Sequence, residues 1–273
     1  MSVINTNIKS LVSQNALTKN ALDVSKAMEQ LSTGKRINSA ADDAAGLAIS
    51  NKMTSQIRGL DQAIRNANDG ISMLQTAEGA TIEITNMLQR MRELAIQSAN
   101  DTYSDDDRSA LNKEIVQLEE EITRIAKNTK WNNMPILDNT YEKVLQVGIA
   151  NNEDSTIEVA FVDLTASGLD IVGLDVLNHS SSQGVIDKID TAISDVDEFR
   201  ADMGAKINRL NFAGDNLANI SINTSASRSR IQDADFAKAS SELARTQIIQ
   251  QAATSVLAQA NTDQQSVLKL IQG

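Results

Sequence analysis

The chain has no cysteine and a single proline, and among its 273 residues there are only one Trp, two Tyr, four Phe and one His. Without cysteine there are no disulfides and no thiolate metal sites, and the usual redox clue to compartment is silent. One proline leaves nearly the whole chain free to be helical, because proline in a helix interior costs ~3 kcal/mol. So few aromatic rings exclude a bulky globular core, and Leu, Ile, Val, Ala and Met must supply the packing. Basic stripes are missing too, and a formal net charge of −11 argues against nucleic acid as a partner. No run approaches the ~18 apolar residues of a membrane span. The opening Met1 to Lys9 shows no charged n-region, apolar h-region or cleavage site, so any export is expected to use a route that ignores such signals. The one histidine, His179, sits in a Ser-rich stretch read as a loop, which rules out an H-E-x-x-H zinc helix. No Ser-His-Asp or Cys-His constellation and no Gly-rich phosphate loop is present, so neither catalysis nor a cofactor is implied.

What the chain does have is helical periodicity. Leu17, Ala21, Val24, Met28 and Leu31 fall on one stripe, with Ile4, Ile8 and Leu11 out of phase by one residue. Asn, Ser, Gln, Thr and Lys separate them, so this first helix buries little by itself and is marginal until a partner covers it. The stretch Leu31 to Met53 is a joint. Gly34 stands where a C-cap needs positive φ, with Lys35 and Arg36 beside the negative end of the helix. Ser39 and Asp42 have the spacing of a capping box, and Asp43 adds charge to the first turn of the next helix.

From Met53 the apolar stripe continues through Ile57, Leu60, Ile64, Ala67, Ile71 and Leu74, then after a phase slip through Ala80, Ile84, Met87, Met91 and Leu94. One helix from about Asp42 to Asn100 would be ~85 Å long, which suits an antiparallel coiled-coil-like bundle. Gly59, Gly70 and Gly79 are either tolerated in it or mark the close approach of another helix. Ser104 caps a third helix, whose Asp105, Asp106 and Asp107 favour its positive end rather than calcium. Its stripe is Leu111, Ile115, Leu118, Ile122 and Ile125, with Glu119, Glu120 and Glu121 as a solvated face. Thr129 to Asp175 is the only non-helical interlude, with strands expected at Lys143 to Ile149 and Thr156 to Val162. Ile186, Ile189, Ile193, Val196, Met203, Ile207, Leu210 and Leu217 then form the returning helix, with Arg200 and Gly214 off-type. Asn219 to Asp233 reads as a second joint. The last helix, from about Ala234 to Gln272, carries Leu243, Ile248, Ile249, Ala253, Val256, Leu257 and Leu268 among Ala and Gln.

The fold class is therefore mainly α, with a small β-hairpin region at about 131–175. Two weakly charged terminal helices, 1–40 and 234–273, should pair with one another and flank a bundle over 41–233. Such a pair leaves apolar ridges exposed, a poor monomer but a good subunit.

Four stretches carry a resemblance. Val3-Ile4-Asn5-Thr6-Asn7, the joint Leu31 to Met53, Ser229 to Ala237 and Gln250 to Asn261 are similar to the signature segments of bacterial flagellins. The resemblance implies that the terminal helices form the inner layer of an extracellular flagellar filament used in swimming, with the middle helices outside it. In that setting the assembly residues are Ile4, Ile8, Leu11, Leu17, Val24, Leu31, Leu243, Ile249, Val256, Leu257 and Leu268, and the joint between layers is Gly34, Ser39, Asp42 and Asp43. It also implies export through the flagellar type III apparatus, polymerisation under a filament cap, and junction proteins and an export chaperone as partners. The interlude is too short for the family's outer variable domains. Asn261 to Gln265 stands where the family often has a proline.

Gln89, Arg90, Glu93, Leu94 and Glu114 resemble the patch by which the vertebrate Toll-like receptor recognises flagellins. Subunit packing is the competing role for the same residues, with Leu94 on the core stripe and Arg90 paired to a carboxylate. Two rival functions are a hook-filament junction protein, which shares such termini, and a filament-displayed metalloprotease, which needs the H-E-x-x-H helix this chain lacks.

Overall fold

The structure, a computed structural model, describes residues 6–272, with side chains described through residue 262. The elements are α1 (Ile8–Thr33), α2 (Ala44–Ser98), α3 (Asp105–Asn128), β1 (Lys130–Trp131), β2 (Met134–Pro135), β3 (Tyr141–Gln146), β4 (Thr156–Phe161), α4 (His179–Gln232) and α5 (Phe236–Gln272). No helix among the described residues is long and apolar enough to cross a membrane. The chain forms two compact units, Met1–Ser55 with Asn223–Gly273, and Gln56–Ile222. The division falls inside α2 and α4 rather than at the expected boundaries of 40/41 and 233/234.

In the unit Gln56–Ile222, α2, α3, α4 and the β3–β4 hairpin share one core. Leu74, Ile84, Leu88, Met91 and Leu94 of α2 meet Ile115 and Ile122 of α3 and Ile189, Val196, Met203 and Leu210 of α4, all buried. Met91 and Met73 are packing residues. Helix α4 runs antiparallel to α2: Arg92 donates to Asp190 at 2.6 and 3.2 Å, and Ser221 to Asp61 at 3.1 Å. Ser104 caps α3 and forms a capping box with Asp107.

The hairpin is antiparallel, pairing Tyr141 with Phe161, Lys143 with Val159 and Leu145 with Ile157. Alternation turns Ile157, Val159 and Phe161 inward. Phe161 is fully buried, with ring centroids 5.3 Å from Tyr141 and 6.4 Å from Phe199. Phe199, one place from the off-type Arg200, fills the gap in the returning stripe.

Of Gly59, Gly70 and Gly79 in α2, two do mark a close approach, though of the hairpin and its connection. A Cβ at Gly70 would lie 2.5 Å from Leu145 Cδ1, and one at Gly59 would lie 2.8 Å from Ile149 Cγ2, whereas Gly79 faces open space. Gly79→Ala should therefore gain the ~0.5–1 kcal/mol of helix propensity, while Gly70→Ala should melt at least ~1 kcal/mol less stably than it, because the new methyl overlaps Leu145. Paired thermal melts of the two variants check this.

Two expectations are corrected. Asn219 to Gln232 is helix, not joint: its Ser, Asn, Thr and Arg residues each cost only tenths of a kcal/mol in an exposed helix, and no Pro or Gly interrupts them. The break is confined to Asp233, Ala234 and Asp235. His179 is the first residue of α4 rather than part of a loop, and its Nδ1 lies 2.6 Å from the Ala99 carbonyl oxygen at the end of α2.

Candidate assembly interface

Helices α1 and α5 pair antiparallel in the unit formed by the two ends of the chain, and their seam is built from small and polar residues. Ser10, Asn20 and Ala27 are the buried positions of α1, and Ala239, Thr246 and Ala260 those of α5. The α5 positions recur every seven residues, with Ala253 half-buried between them. Asn20 Nδ2 donates to the Thr246 carbonyl at 2.8 Å, and Asn7 Nδ2 to the Ala260 carbonyl at 3.1 Å. Cross-seam hydrogen bonds thus replace apolar burial.

Many of the large apolar side chains point the other way. Ile8, Leu11, Val12, Leu22, Met28, Ile248, Ile249 and Val256 are exposed. The expected stripe of α1 holds at Leu17, Val24 and Leu31, which are half-buried, but Ala21 and Met28 face solvent because the seam follows 10-17-24-31 and 13-20-27. Of the residues expected in α5 to serve assembly, Leu243 and Leu257 are half-buried while Ile249 and Val256 are exposed. Ile4 and the side chain of Leu268 lie outside the described residues. Ile8, Lys9, Val12 and Ser13 of α1 and Val256, Gln259 and Ala260 of α5 line an open apolar groove of about 480 Å³.

The joint ties both helices down. Gly34 ends α1 with φ +69°, in the left-handed region, and its N–H donates to the Gln30 carbonyl at 3.0 Å. Lys35 forms an antiparallel bridge with Asp233, and the Ala234 N–H donates to the Gly34 carbonyl at 2.9 Å. Arg36 serves a different helix end from the one expected: its N–H donates to Gln232 at 2.7 Å and its Nη2 to Ile231 at 2.6 Å, covering the last carbonyls of α4 rather than α1. No sequence periodicity marks that role.

Ser39 is not the cap of α2. Asp43 is, since its Oδ1 accepts from the Gly46 N–H at 2.8 Å and the helix begins at Ala44. Asp42 does something else. Its carboxylate accepts from the Asn38 N–H at 3.2 Å, the Ser39 N–H at 3.0 Å and the Ser39 hydroxyl at 3.1 Å, and pairs with Lys26 Nζ at 2.8 Å. The Lys26 bond first, and the two backbone donors next, hold the Asp42 carboxyl well below the usual carboxylate range. A depressed carboxylate stabilises the joint above its ordinary pKa and loses that contribution as pH falls through the folded value. Thermal melts from pH 5 down to 2 should show the terminal pair weakening, and Asp42→Asn should flatten that dependence.

Within the other unit, Arg90 donates to Glu114 at 2.9 Å and to Glu93 at 3.1 Å, and both carboxylates raise the arginine pKa. Gln89, Arg90, Glu93 and Glu114 are exposed, but Leu94 is 1% exposed and belongs to the core. The surface of this patch is therefore polar, without the leucine. Among the described residues no group of three or more His, Asp or Glu side chains converges as a metal site.

Comparison with known proteins bears on the same elements. The family model for the bacterial flagellin N-terminal helical region matches residues 4–142, and that for the C-terminal helical region matches residues 186–271. The chain is 48% identical over 270 residues to a flagellin of Halalkalibacterium halodurans, covering 98% of this chain and 99% of that one. It is 40% identical over 284 residues to a flagellar filament core protein of Brachyspira hyodysenteriae, covering 99% and 100%. The crystal structure of Bacillus cereus flagellin superposes with a TM-score of 0.50 at 32% identity, covering 56% of this chain and 88% of that one. A putative flagellar hook-associated protein from Vibrio parahaemolyticus shares the fold, with a TM-score of 0.59 at 14% identity over 70% of this chain.

Proposed function

The chain belongs to the bacterial flagellin family and is a structural subunit of the extracellular flagellar filament, and we propose that its α1–α5 pair is the part that neighbouring subunits bury. One observation carries this reading: the fully buried seam positions are small or polar, Leu17, Val24, Leu31, Leu243 and Leu257 are only half-buried, and eight large apolar side chains from Ile8 to Val256 lie exposed. A monomer gains nothing from the exposed set. A polymer removes the exposed ridges from water, at ~25 cal/mol per Å² of apolar surface.

Joint residues Gly34, Asp42 and Asp43 then have a defined task in the proposal: they fix where α1 stops and α2 starts, so that every subunit presents the same α1–α5 surface. The filament cap, junction proteins, an export chaperone and the type III export apparatus are further partners proposed on the family resemblance. A receptor contact through Gln89, Arg90, Glu93 and Glu114 would be polar and incidental to packing.

Purified chain added to sonicated filament seeds should elongate them, as seen by electron microscopy. Seeds that stay the same length at subunit concentrations where other flagellins grow would remove the reading.

A further inference from the structure

We propose that Phe212 is an anchor between subunits, seated in the recess beside the β3–β4 hairpin of a second copy of this chain. This rests on the polymer reading above and names one of its contacts.

Phe212 is 75% exposed in α4, the most exposed ring among the described residues of a chain that has few. Arg209 and Asp215 lie one turn before and one turn after it on the same face, both exposed. The ion pairs of α4 are made by Lys188, Asp190, Asp197 and Arg200, so Arg209 and Asp215 carry unpaired charge among the described residues. An aromatic ring between two free charges of opposite sign is a poor solvent surface and a good docking knob.

The complementary hole lies in the same unit. Met134, Pro135, Asp138, Asn139, Tyr141 and Lys143 line an open recess of about 350 Å³. Its walls offer a thioether, a proline ring and an aromatic ring. The Tyr141 hydroxyl donates to the Pro135 carbonyl and so fixes that ring. Lys143 Nζ stands 5.0 Å from the Tyr141 ring centroid and 3.9 Å from Met134 Sδ, with no carboxylate partner. Asp138 makes no ion pair either among the described residues.

Knob and hole therefore match in kind and in charge. Arg209 meets Asp138, Asp215 meets Lys143, and the ring enters between them. A contact joining two different surfaces of one subunit is heterologous, and repeated it builds an open-ended filament rather than a closed dimer.

Seeded elongation tests the contact. Phe212→Ala and Tyr141→Ala should each raise the critical concentration about tenfold, as expected for loss of an anchoring aromatic, and the double variant should be little worse than either. Arg209→Glu and Asp138→Arg should each impair growth, and the two together in one chain should restore it. Charge-swap rescue distinguishes a direct contact from a folding defect; monomer melting curves of Phe212→Ala, Arg209→Glu and Asp138→Arg should match the parent, while Tyr141→Ala, whose ring packs on Phe161, should melt lower. Parent chain that elongates alongside a Phe212→Ala variant of equal critical concentration overturns the contact while leaving the filament reading intact. Failure of rescue in the doubly reversed chain overturns it too, and parent chain that does not elongate refutes the filament reading instead.

Discussion

A chain lacking residues 1–35, and equally one lacking 239–273, is expected to fold over Gln56–Ile222 and to form no filaments on seeds at any concentration. The first half of that expectation follows from the core. Leu74, Ile84, Leu88, Met91, Ile115, Ile122, Phe161 and Leu210 all lie within Gln56–Ile222 and are essentially inaccessible to water, and the cluster they form includes no residue of α1 or α5. The second half follows from the exposed ridge, since each truncation removes one wall of the α1–α5 groove and leaves the other helix without its cross-seam partner. Asn20 and Asn7 would lose the Thr246 and Ala260 carbonyls, and Arg36 would be left to hold α4 without the pair it positions. Circular dichroism should show one cooperative melt with helix content reduced by the missing element. Light scattering should show monomer. Filaments from either truncation, seen by electron microscopy, would sink the assignment of assembly to the terminal pair.

Phe161→Ala is expected to cost about 3–5 kcal/mol of stability, the largest single-residue loss in the molecule. Phe161 is the only ring with no exposed surface in a core otherwise made of aliphatic and Met side chains, and it touches both Tyr141 of its partner strand and Phe199 of α4. Its removal leaves a cavity where hairpin and helix meet, and neither the antiparallel strand register nor α4 can move to fill it without breaking other contacts. By comparison Leu60→Ala, in a smaller cluster with Ala63 and Leu217, should cost about 2–4 kcal/mol. Chemical denaturation of both variants checks the order. Equal losses would mean that the hairpin is not anchored through its aromatic ring.

Much of the fold was legible because its periods are long and unbroken. The α2 stripe from Ile57 to Leu94, the Ser104 cap and the positive φ of Gly34 stand where spacing put them. So do the two strands, within a few residues. Residues whose partners are distant in sequence were not legible. Phe199 hid behind Arg200, Arg36 reaches Ile231 across most of the chain, and Asn20 reads as an ordinary polar helix residue until Thr246 lies opposite. Ser39 and Asp42 had the right spacing for a cap, yet the next aspartate took that role and Asp42 turned to Lys26. Local motifs rank candidates, and competition among near-equal donors is decided by packing.

The sequence by itself determined that the protein is helical, that its two ends pair, and that it is a flagellin, because composition, apolar period and long signature segments are properties of the chain in one dimension. Only the tertiary structure decided which face of each terminal helix is the inside. Ser10, Asn20 and Ala27 won the seam over Ile8, Leu11 and Met28, since close-packed helices need small residues and matched hydrogen bonds between them, and those larger apolar side chains are left exposed.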